Sequence, residues 1–398
     1  MKRRRFIAQT MAYGLVGPPV LCNLPAWVSS TSHSESSKGG PSEGANEGSS
    51  ACKSPFSSIA LLGQVVIRKA VDFSVWSGHE ALQNRLAKAD GVFANLESLI
   101  NVPRAGTLTR AQLTLHAADP SALATLAYLR INLLGTANNH AFDLHTDGIL
   151  NTIEALSAAG ISFAGIGKNR TEAAAPAFAP TGHTTTAVVA FATGMLRPGA
   201  AAGEGNIGVN ELRRQANGLA EPDDVKRILG AIRQAKTRAD VVIACHHNHD
   251  RGPGSDAVPE WQRTLAYQCV DEGATVFASH GVPVLQGVEI YREAPLFFGL
   301  GNFMFQVAKP LGAYEEGAWN GVIALCAFEN RQCRQVRLLP IVLNETAADG
   351  SAESSKRGLP TLASPSQARV ILDDLQRRNS AFGTKMTMLN GEGIITPG

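Results

Sequence analysis

Four clusters of polar residues lie where short apolar runs end, and their side chains are of the kinds that bind transition metals. The apolar runs are 91–94, 131–137, 241–245 and 274–278. The clusters are, in chain order, Asn95-Leu96-Glu97, Asn138-Asn139-His140, His246-His247-Asn248-His249-Asp250 and Ser279-His280-Gly281. Imidazole nitrogens together with carboxylate and amide oxygens are the ligands of a borderline divalent metal. The clusters therefore predict a metal-dependent site.

The elements that must position these clusters follow from the apolar pattern. Each apolar run has the length of a buried strand and is bounded by turn residues. Between the runs, residues 148–159, 223–236 and 259–272 place apolar side chains on one helical face. Alternation of strand and helix is typical of parallel sheets, in which sites form at the carboxyl ends of the strands. The sequence thus predicts one α/β domain with the four clusters at one edge.

The pattern changes after residue 280. Short, closely spaced apolar segments at 284–291, 295–298 and 321–325 predict antiparallel strands. Ser364-Pro365-Ser366-Gln367 has the residues of an N-cap, a first-turn proline and a capping box, and predicts a last helix to about Asn379.

The N-terminus predicts export. Residues 1–28 combine a basic start with a short, broken apolar stretch, which is typical of a signal segment. Arg3-Arg4 followed by Phe6 resembles a twin-arginine motif, although Lys2 replaces the usual Ser or Thr. Residues 29–54 are rich in Ser, Gly and Glu and predict a disordered tether. A periplasmic or cell-surface location is expected, and a basic start on a cytoplasmic protein is the alternative.

Composition excludes some classes of function. The chain has 398 residues and a net charge of +2, which gives no sign of a nucleic-acid partner. Its six cysteines show no C-x-x-C spacing, so a cysteine zinc site is not expected. Cys326 and Cys333 flank Asn330-Arg331, a predicted hairpin tip, and either form a disulfide or remain buried thiols.

The order and spacing of the motifs resemble the CapA family, named for poly-γ-glutamate capsule synthesis. The resemblance covers roughly residues 59–340. Besides three of the clusters, it rests on His280-Gly281 with the segment 284–291 and on Phe298-Gly299-Leu300-Gly301-Asn302-Phe303. It implies a calcineurin-like metallophosphatase-type α/β sandwich of mixed sheets flanked by helices. The domain would span 55–345, followed by a C-terminal extension, 346–398, with one helix packed on it.

The resemblance also implies roles for single residues. His140 would protonate a leaving group or stabilise the attacked centre. Metal ligands would be Glu97, Asn139, His247 and His280. Residues around them or in contact with substrate would be Asn95, His249, Asp250 and Asn302. The implied partners are an anionic extracellular polymer such as poly-γ-glutamate and a membrane capsule-synthesis complex.

Two positions depart from the family pattern. Gln64 stands where the family usually has Asp, and Pro283 where it usually has a second His. An amide oxygen binds a dication poorly, and proline has no side-chain donor. One divalent ion (Mn, Zn or Fe) is therefore expected, with the second site weak or absent. The chain is then either a hydrolase of amides or phosphoesters or a non-catalytic factor that binds or assembles an envelope polymer.

Several residues of the clusters have structural interpretations. Asn95 and Asn138 suit strand-end turns, and Asp143 and Asp147 suit the cap of the following helix. His246 alternates to the opposite face of its strand from His247. Cys245 is expected to be a buried strand residue and not a nucleophile, because no third group is available to orient a Cys–His pair.

Overall fold

The structure is a computed structural model that describes residues 56–101, 108–109, 117–249, 257–346 and 356–397. The predicted export signal, the predicted tether and Asp250 lie outside these ranges. Within them, no helix has the length and apolar character needed to cross a membrane.

Strands dominate the described chain. They are β1 (Ser57–Val66), β2 (Gly91–Leu96), β3 (Leu99–Ile100), β4 (Ala117–Ala118), β5 (Leu133–Gly135), β6 (Ser162–Ala164), β7 (Ile166–Gly167), β8 (Ala177–Thr181), β9 (Thr184–Thr193), β10 (Gly208–Val209), β11 (Val241–Asn248), β12 (Val276–His280), β13 (Val288–Tyr291), β14 (Ala294–Phe297), β15 (Asn302–Phe305), β16 (Asn320–Glu329), β17 (Gln332–Leu343), β18 (Pro360–Leu362), β19 (Thr387–Leu389) and β20 (Glu392–Ile395). The α-helices are α1 (His79–Leu86), α2 (Ala122–Tyr128), α3 (His145–Ala158), α4 (Arg170–Ala174), α5 (Pro222–Lys236), α6 (Glu260–Glu272) and α7 (Pro365–Ser380).

Two mixed sheets form the scaffold. The first has the order β19-β20-β17-β16-β1-β2-β5-β6, with β15 also beside β1 and β18 beside β17. The second has the order β13-β14-β12-β11-β9-β8. The central strands β1, β2, β5 and β6 are parallel, as are β9, β11, β12 and β14. This mixed α/β sandwich confirms the metallophosphatase-type fold.

The main core lies between the sheets. Phe93 and Leu133 of the first sheet belong to the same buried cluster as Ile243 and Phe297 of the second. The outer face of the second sheet packs on α5 and α6 in a separate cluster. Because these strands are buried on both faces, they appear in the sequence as continuous apolar runs.

The sheets approach each other closely where the polar clusters begin. A Cβ atom added to Gly135, the last residue of β5, would lie 2.5 Å from the Cys245 sulfur of β11. Glycine is therefore required there, and Cys245 is a fully buried packing residue. This contact brings the carboxyl ends of β5 and β11 together.

All four predicted helices are present. Residues 148–159, 223–236 and 259–272 fall in α3, α5 and α6. Ser364 and Gln367 form the predicted capping box at the start of α7, which contacts β17, β13 and β20. The C-terminal segment also adds β18, β19 and β20 to the first sheet.

Two predictions for the later strands need correction. The predicted strand 284–291 is shorter, because β13 begins at Val288 and Gln286 donates its backbone N–H to the Gly299 carbonyl. The strand predicted at 295–298 is antiparallel to β13 but parallel to β12. Cys326 and Cys333 lie on the predicted hairpin and are buried free thiols.

Candidate metal centre

Four potential ligand atoms converge at the carboxyl ends of β2, β5 and β11. The Nε2 atoms of His247 and His249 each lie 3.1 Å from Asn139 Oδ1. The same two nitrogens lie 3.7 and 3.9 Å from Glu97 Oε1. Glu97, His247 and His249 form the carboxylate–imidazole group with metal-binding geometry among the described residues.

This group fits one divalent ion. Ligand atoms that share an ion at bond lengths of about 2.0–2.2 Å lie roughly 3–4 Å apart, as these atoms do. Burial lowers the pKa of His247 well below its usual value, against the opposing charge of Glu97. The imidazole is therefore neutral, which is the form that binds a metal. Two nitrogens, an amide oxygen and a carboxylate suit Mn, Zn or Fe.

The Asn95 amide helps to orient His247. Its Nδ2 lies 3.3 Å from His247 Nδ1, and its buried Oδ1 has no hydrogen-bond partner in the described chain. When His247 Nε2 offers its lone pair to an ion, the ring proton resides on Nδ1. The Asn95 amide then turns its unpartnered oxygen toward that proton, since amide orientation is assigned and not observed.

Asn138 shapes the turn that delivers Asn139. Its Nδ2 donates to the carbonyl oxygens of Leu96 and Thr136, and its Oδ1 accepts the backbone N–H of His140. These bonds join the ends of β2 and β5 and place Asn139 beside Glu97. Asn138 is thus the turn residue that its sequence context predicts.

His140 is held by a carboxylate whose role the sequence did not reveal. Its Nδ1 lies 2.6 Å from Asp143 Oδ2, and its Nε2 lies 3.9 Å from Glu97 Oε1. The prediction that Asp143 caps a helix is wrong, because α3 begins at His145 and has no side-chain cap. Asp143 is fully buried and pairs with Arg197 across the two sheets.

The donor group contains His249 in place of His280. His280 lies opposite His247 in β12, but its Nε2 is 3.2 Å from the Leu62 carbonyl oxygen and its Nδ1 is 3.9 Å from Cys245 Sγ. Burial lowers the pKa of His280 to about 4. The structure therefore does not bring this histidine into the donor group, and it brings in His249, which was expected around the group.

The two departures from the family pattern are used for backbone contacts. Gln64 is buried, and its Oε1 accepts the backbone N–H of Gly281 at 3.0 Å. The carbonyl oxygen of Pro283 lies 3.4 Å from Asn302 Nδ2, which also donates to the Ala318 carbonyl. Gln64 and Asn302 are register partners in β1 and β15. In this structure these groups tie loops together at the site's edge.

A comparison with models of known protein families shows the family to which the chain belongs. The model described as bacterial capsule synthesis protein PGA_cap matches residues 58–307, which include every proposed ligand. The chain belongs to this capsule synthesis family. The resemblance to CapA is thereby confirmed.

Named relatives of this family are distant in sequence. The chain is 27% identical to protein y4uA of Sinorhizobium fredii (strain NBRC 101917 / NGR234), over 85% of this chain and 92% of that protein. It is 28% identical to the PGA biosynthesis protein CapA of Bacillus subtilis (strain 168), over 44% of this chain and 43% of that protein. It is 26% identical to a probable polyglutamine synthesis accessory protein of Mycobacterium tuberculosis (strain CDC 1551 / Oshkosh), over 54% of this chain and 55% of that protein.

Tyr314 lies near the candidate metal centre of this family member, and no sequence motif indicated it. Burial and the charge of Glu97 raise the pKa of its phenol, against the opposing effect of Arg357. Its ring packs edge-on against Phe305, with ring centroids 4.8 Å apart. The loop that carries Tyr314 begins at Gln306, whose backbone N–H donates to the carbonyl of the last residue of β1. The residue before it in β1 accepts the backbone N–H of Glu97.

His246 points away from the centre, as its alternation predicts. Its Nε2 lies 3.0 Å from Thr193 Oγ1 and its Nδ1 lies 3.3 Å from Gln262 Nε2. Burial lowers the pKa of this histidine to about 3, and the charges of His280 and Arg214 act in the same direction.

We expect this burial to make the metal-free protein acid-sensitive. The depressed folded-state pKa stabilises the fold above the unfolded pKa, and this stability is lost as pH falls from about 6.5 toward 3. Between these pH values the unfolded state binds one more proton at this histidine than the folded state does. The free energy of unfolding therefore falls by about 1.4 kcal/mol for each pH unit of acidification. Urea titrations at several pH values measure this slope. His246→Gln should reduce it by about one proton, whereas the exposed control His145→Gln should not. Equal slopes in all three proteins would contradict the assignment.

Proposed function

We propose that this chain is a CapA-like hydrolase that acts in the biosynthesis or processing of poly-γ-glutamate or a similar capsule polymer, with one divalent ion in its centre. The convergence of Glu97, Asn139, His247 and His249 carries this proposal. Family membership and the likeness to the PGA biosynthesis protein CapA of Bacillus subtilis support the polymer. The reaction is hydrolysis of an amide or a phosphoester.

These four residues would hold the ion. A divalent ion held there would polarise the attacked group and would lower the pKa of a bound water toward about 7. Asn95 keeps the His247 ring in the orientation that presents Nε2 to the centre. The burial of Glu97 and His247 excludes bulk water from one side of the group.

His140 supplies the proton transfer. Asp143 fixes the Nδ1 side of its ring, so Nε2 faces the Glu97 side of the centre. Hydrolysis adds hydroxyl to the acyl carbon or phosphorus and a proton to the departing nitrogen or oxygen. His140 Nε2 would hold that proton and deliver it as the bond breaks, an effect of about 10²–10⁴-fold on rate.

A non-catalytic role in polymer binding or assembly is the second candidate. Gln64 and Pro283 favour it, because they replace two expected metal ligands and make backbone contacts instead. The test uses the full chain loaded with Mn²⁺ or Zn²⁺, assayed with oligo-γ-glutamate and with a chromogenic phosphodiester. Stoichiometric metal with turnover of either compound supports the hydrolase. Stoichiometric metal with binding and no turnover supports the second candidate, and no metal under any loading condition refutes a metal centre.

The proposed role also depends on export. The signal at residues 1–28 stays a prediction. Cell fractionation that finds the chain only in the cytoplasm would contradict both the signal and an extracytoplasmic role.

Restoring the missing groups should create a second metal site. Gln64 and Gly281 join the ends of β1 and β12, next to the segment that carries Pro283. We expect Gln64→Asp together with Pro283→His to raise the metal content from one ion toward two, because a carboxylate and an imidazole replace groups that bind dications poorly. Elemental analysis after dialysis measures this count. Asn302→Asp, at the register partner of Gln64, is the control for an added carboxylate alone. An unchanged metal count in the double variant would refute our explanation of the lost site.

A further inference from the structure

Arg197 extends from the second sheet to Asp143, the carboxylate that holds His140. After β9 ends at Thr193, Gly194 and Met195 adopt left-handed backbone conformations with φ of 79° and 57°. This turn directs the chain toward the centre. The Arg197 Nε and Nη2 atoms both lie 3.2 Å from Asp143 Oδ1.

Only part of the Arg197 guanidinium is used by this ion pair. Both contacts go to a single oxygen of Asp143, because the other oxygen serves His140. Nη1 and the second N–H of Nη2 have no partner among the described residues. Because the guanidinium is planar and has five N–H donors, a group that contacts one oxygen has donors left on another edge for a second anion.

Burial makes that second edge significant. The Arg197 side chain is 9% exposed and Asp143 is fully buried. The unused nitrogens of Arg197 nevertheless keep some access to solvent, because none of them is fully buried without a partner. An oxyanion that enters the centre can therefore reach them and gain a charge-assisted hydrogen bond. A guanidinium used only for structure has no need to keep donors unpaired beside His140.

We propose that Arg197 is the anchor for an oxyanion of the substrate. One edge of its guanidinium fixes Asp143 and thereby His140, and the other edge binds a carboxylate or phosphoryl oxygen next to the cleaved bond. This inference rests on the proposed function and adds a specificity determinant to it. The shared chemistry is a bidentate oxyanion, which a γ-linked glutamate unit presents as its free carboxylate and a phosphoester as its phosphoryl oxygens.

The test measures binding of two probes to the Mn²⁺-loaded full chain by titration calorimetry: inorganic phosphate and oligo-γ-glutamate. Arg197→Gln should weaken the true ligand class by about 10–100-fold, the loss of one or two charge-assisted hydrogen bonds, with unchanged metal content. Arg197→Lys should recover part of the affinity, because it keeps the charge and loses the fork. Loss for phosphate alone assigns a phosphoryl group, and loss for the oligomer assigns a carboxylate.

A matched control lies in α5. Arg227 also pairs with a buried aspartate, Asp224, at 2.6 Å, so Arg227→Gln breaks a similar ion pair within a different network. It should leave both probe affinities unchanged. A loss equal to that of Arg197→Gln would show a general structural effect and overturn the anchor.

A second comparison separates direct binding from an effect through His140. If Arg197 contacts the anion, Arg197→Gln should weaken binding both in the wild type and in His140→Ala, although the two losses should not simply add because both residues contact Asp143. The anchor is overturned if the double variant binds no more weakly than His140→Ala, or if Arg197→Gln binds both probes as the wild type does. Wild-type binding to neither probe overturns it as well. Failure of the proposed function is recognised separately, by the metal content of the wild type.

Discussion

His247→Ala is expected to abolish stoichiometric metal binding, whereas His246→Ala, one residue earlier in the same strand, is expected to retain it. The two histidines are equally buried and lie on opposite faces of β11. His247 Nε2 is directed at Asn139 and Glu97, while His246 contacts Thr193. Loss of a group that only supports a ligand already costs about 10–100-fold in metal affinity, and loss of a ligand should exceed that.

This pair of variants controls for damage to the fold. Each replaces a buried imidazole with a methyl group in a packed strand, so similar losses of stability are expected from both. Elemental analysis after dialysis and chemical denaturation of the same samples give metal content and stability together. Metal retained in His247→Ala would remove the basis of the proposed centre. Metal lost equally from both variants would show that integrity of the strand, and not the ligand, controls binding.

The positions of the elements could be predicted because their signals are local. The amphipathic segments 223–236 and 259–272 contain most of their own evidence for helix, and Ser364 and Gln367 specify a cap within four residues. The parallel strands appear as apolar runs because both faces are covered. Strand ends could be assigned to one edge of the fold because parallel strands share a direction.

The donor set could not be fully predicted because ring orientation depends on distant groups. His280 turns its Nε2 to the carbonyl oxygen of Leu62, which is far away in the chain. His249, beyond the end of β11, is positioned by its backbone N–H bond to the Thr193 carbonyl. No spacing rule encodes either contact. A motif therefore places a histidine near the centre, and tertiary packing decides which of its nitrogens faces it.

The same limit applies to Asp143. Its position three residues after His140 is equally consistent with a helix cap and with an ion pair. Arg197 decides between them, and it arrives from the other sheet through a left-handed turn. A buried carboxylate needs such a cation, because an unpaired buried charge is costly. The pair thus links the two sheets exactly where His140 must be held.

Asp143→Asn should therefore reduce hydrolysis by about 10²–10⁴-fold without changing metal content, because His140 loses the carboxylate that fixes its tautomer. Arg197 and His140 contact different oxygens of Asp143, and asparagine keeps an acceptor at only one of these two positions. The NH₂ group of the new asparagine would face the N–H of either Arg197 or His140, and that contact would be lost. Steady-state rates on oligo-γ-glutamate and on a chromogenic phosphodiester measure the loss, and nitrogen NMR of His140 reports the tautomer independently of turnover.

Asp147→Asn is the matched control for Asp143→Asn. It removes a carboxylate four residues later, from an exposed position in the first turn of α3. Wild-type rates and a wild-type His140 tautomer are expected for it. If Asp143→Asn leaves the tautomer unchanged, the carboxylate does not position His140, and the ion pair with Arg197 serves only to hold the two sheets together. If the tautomer changes and the rate does not, His140 is positioned as we infer but does not transfer the proton.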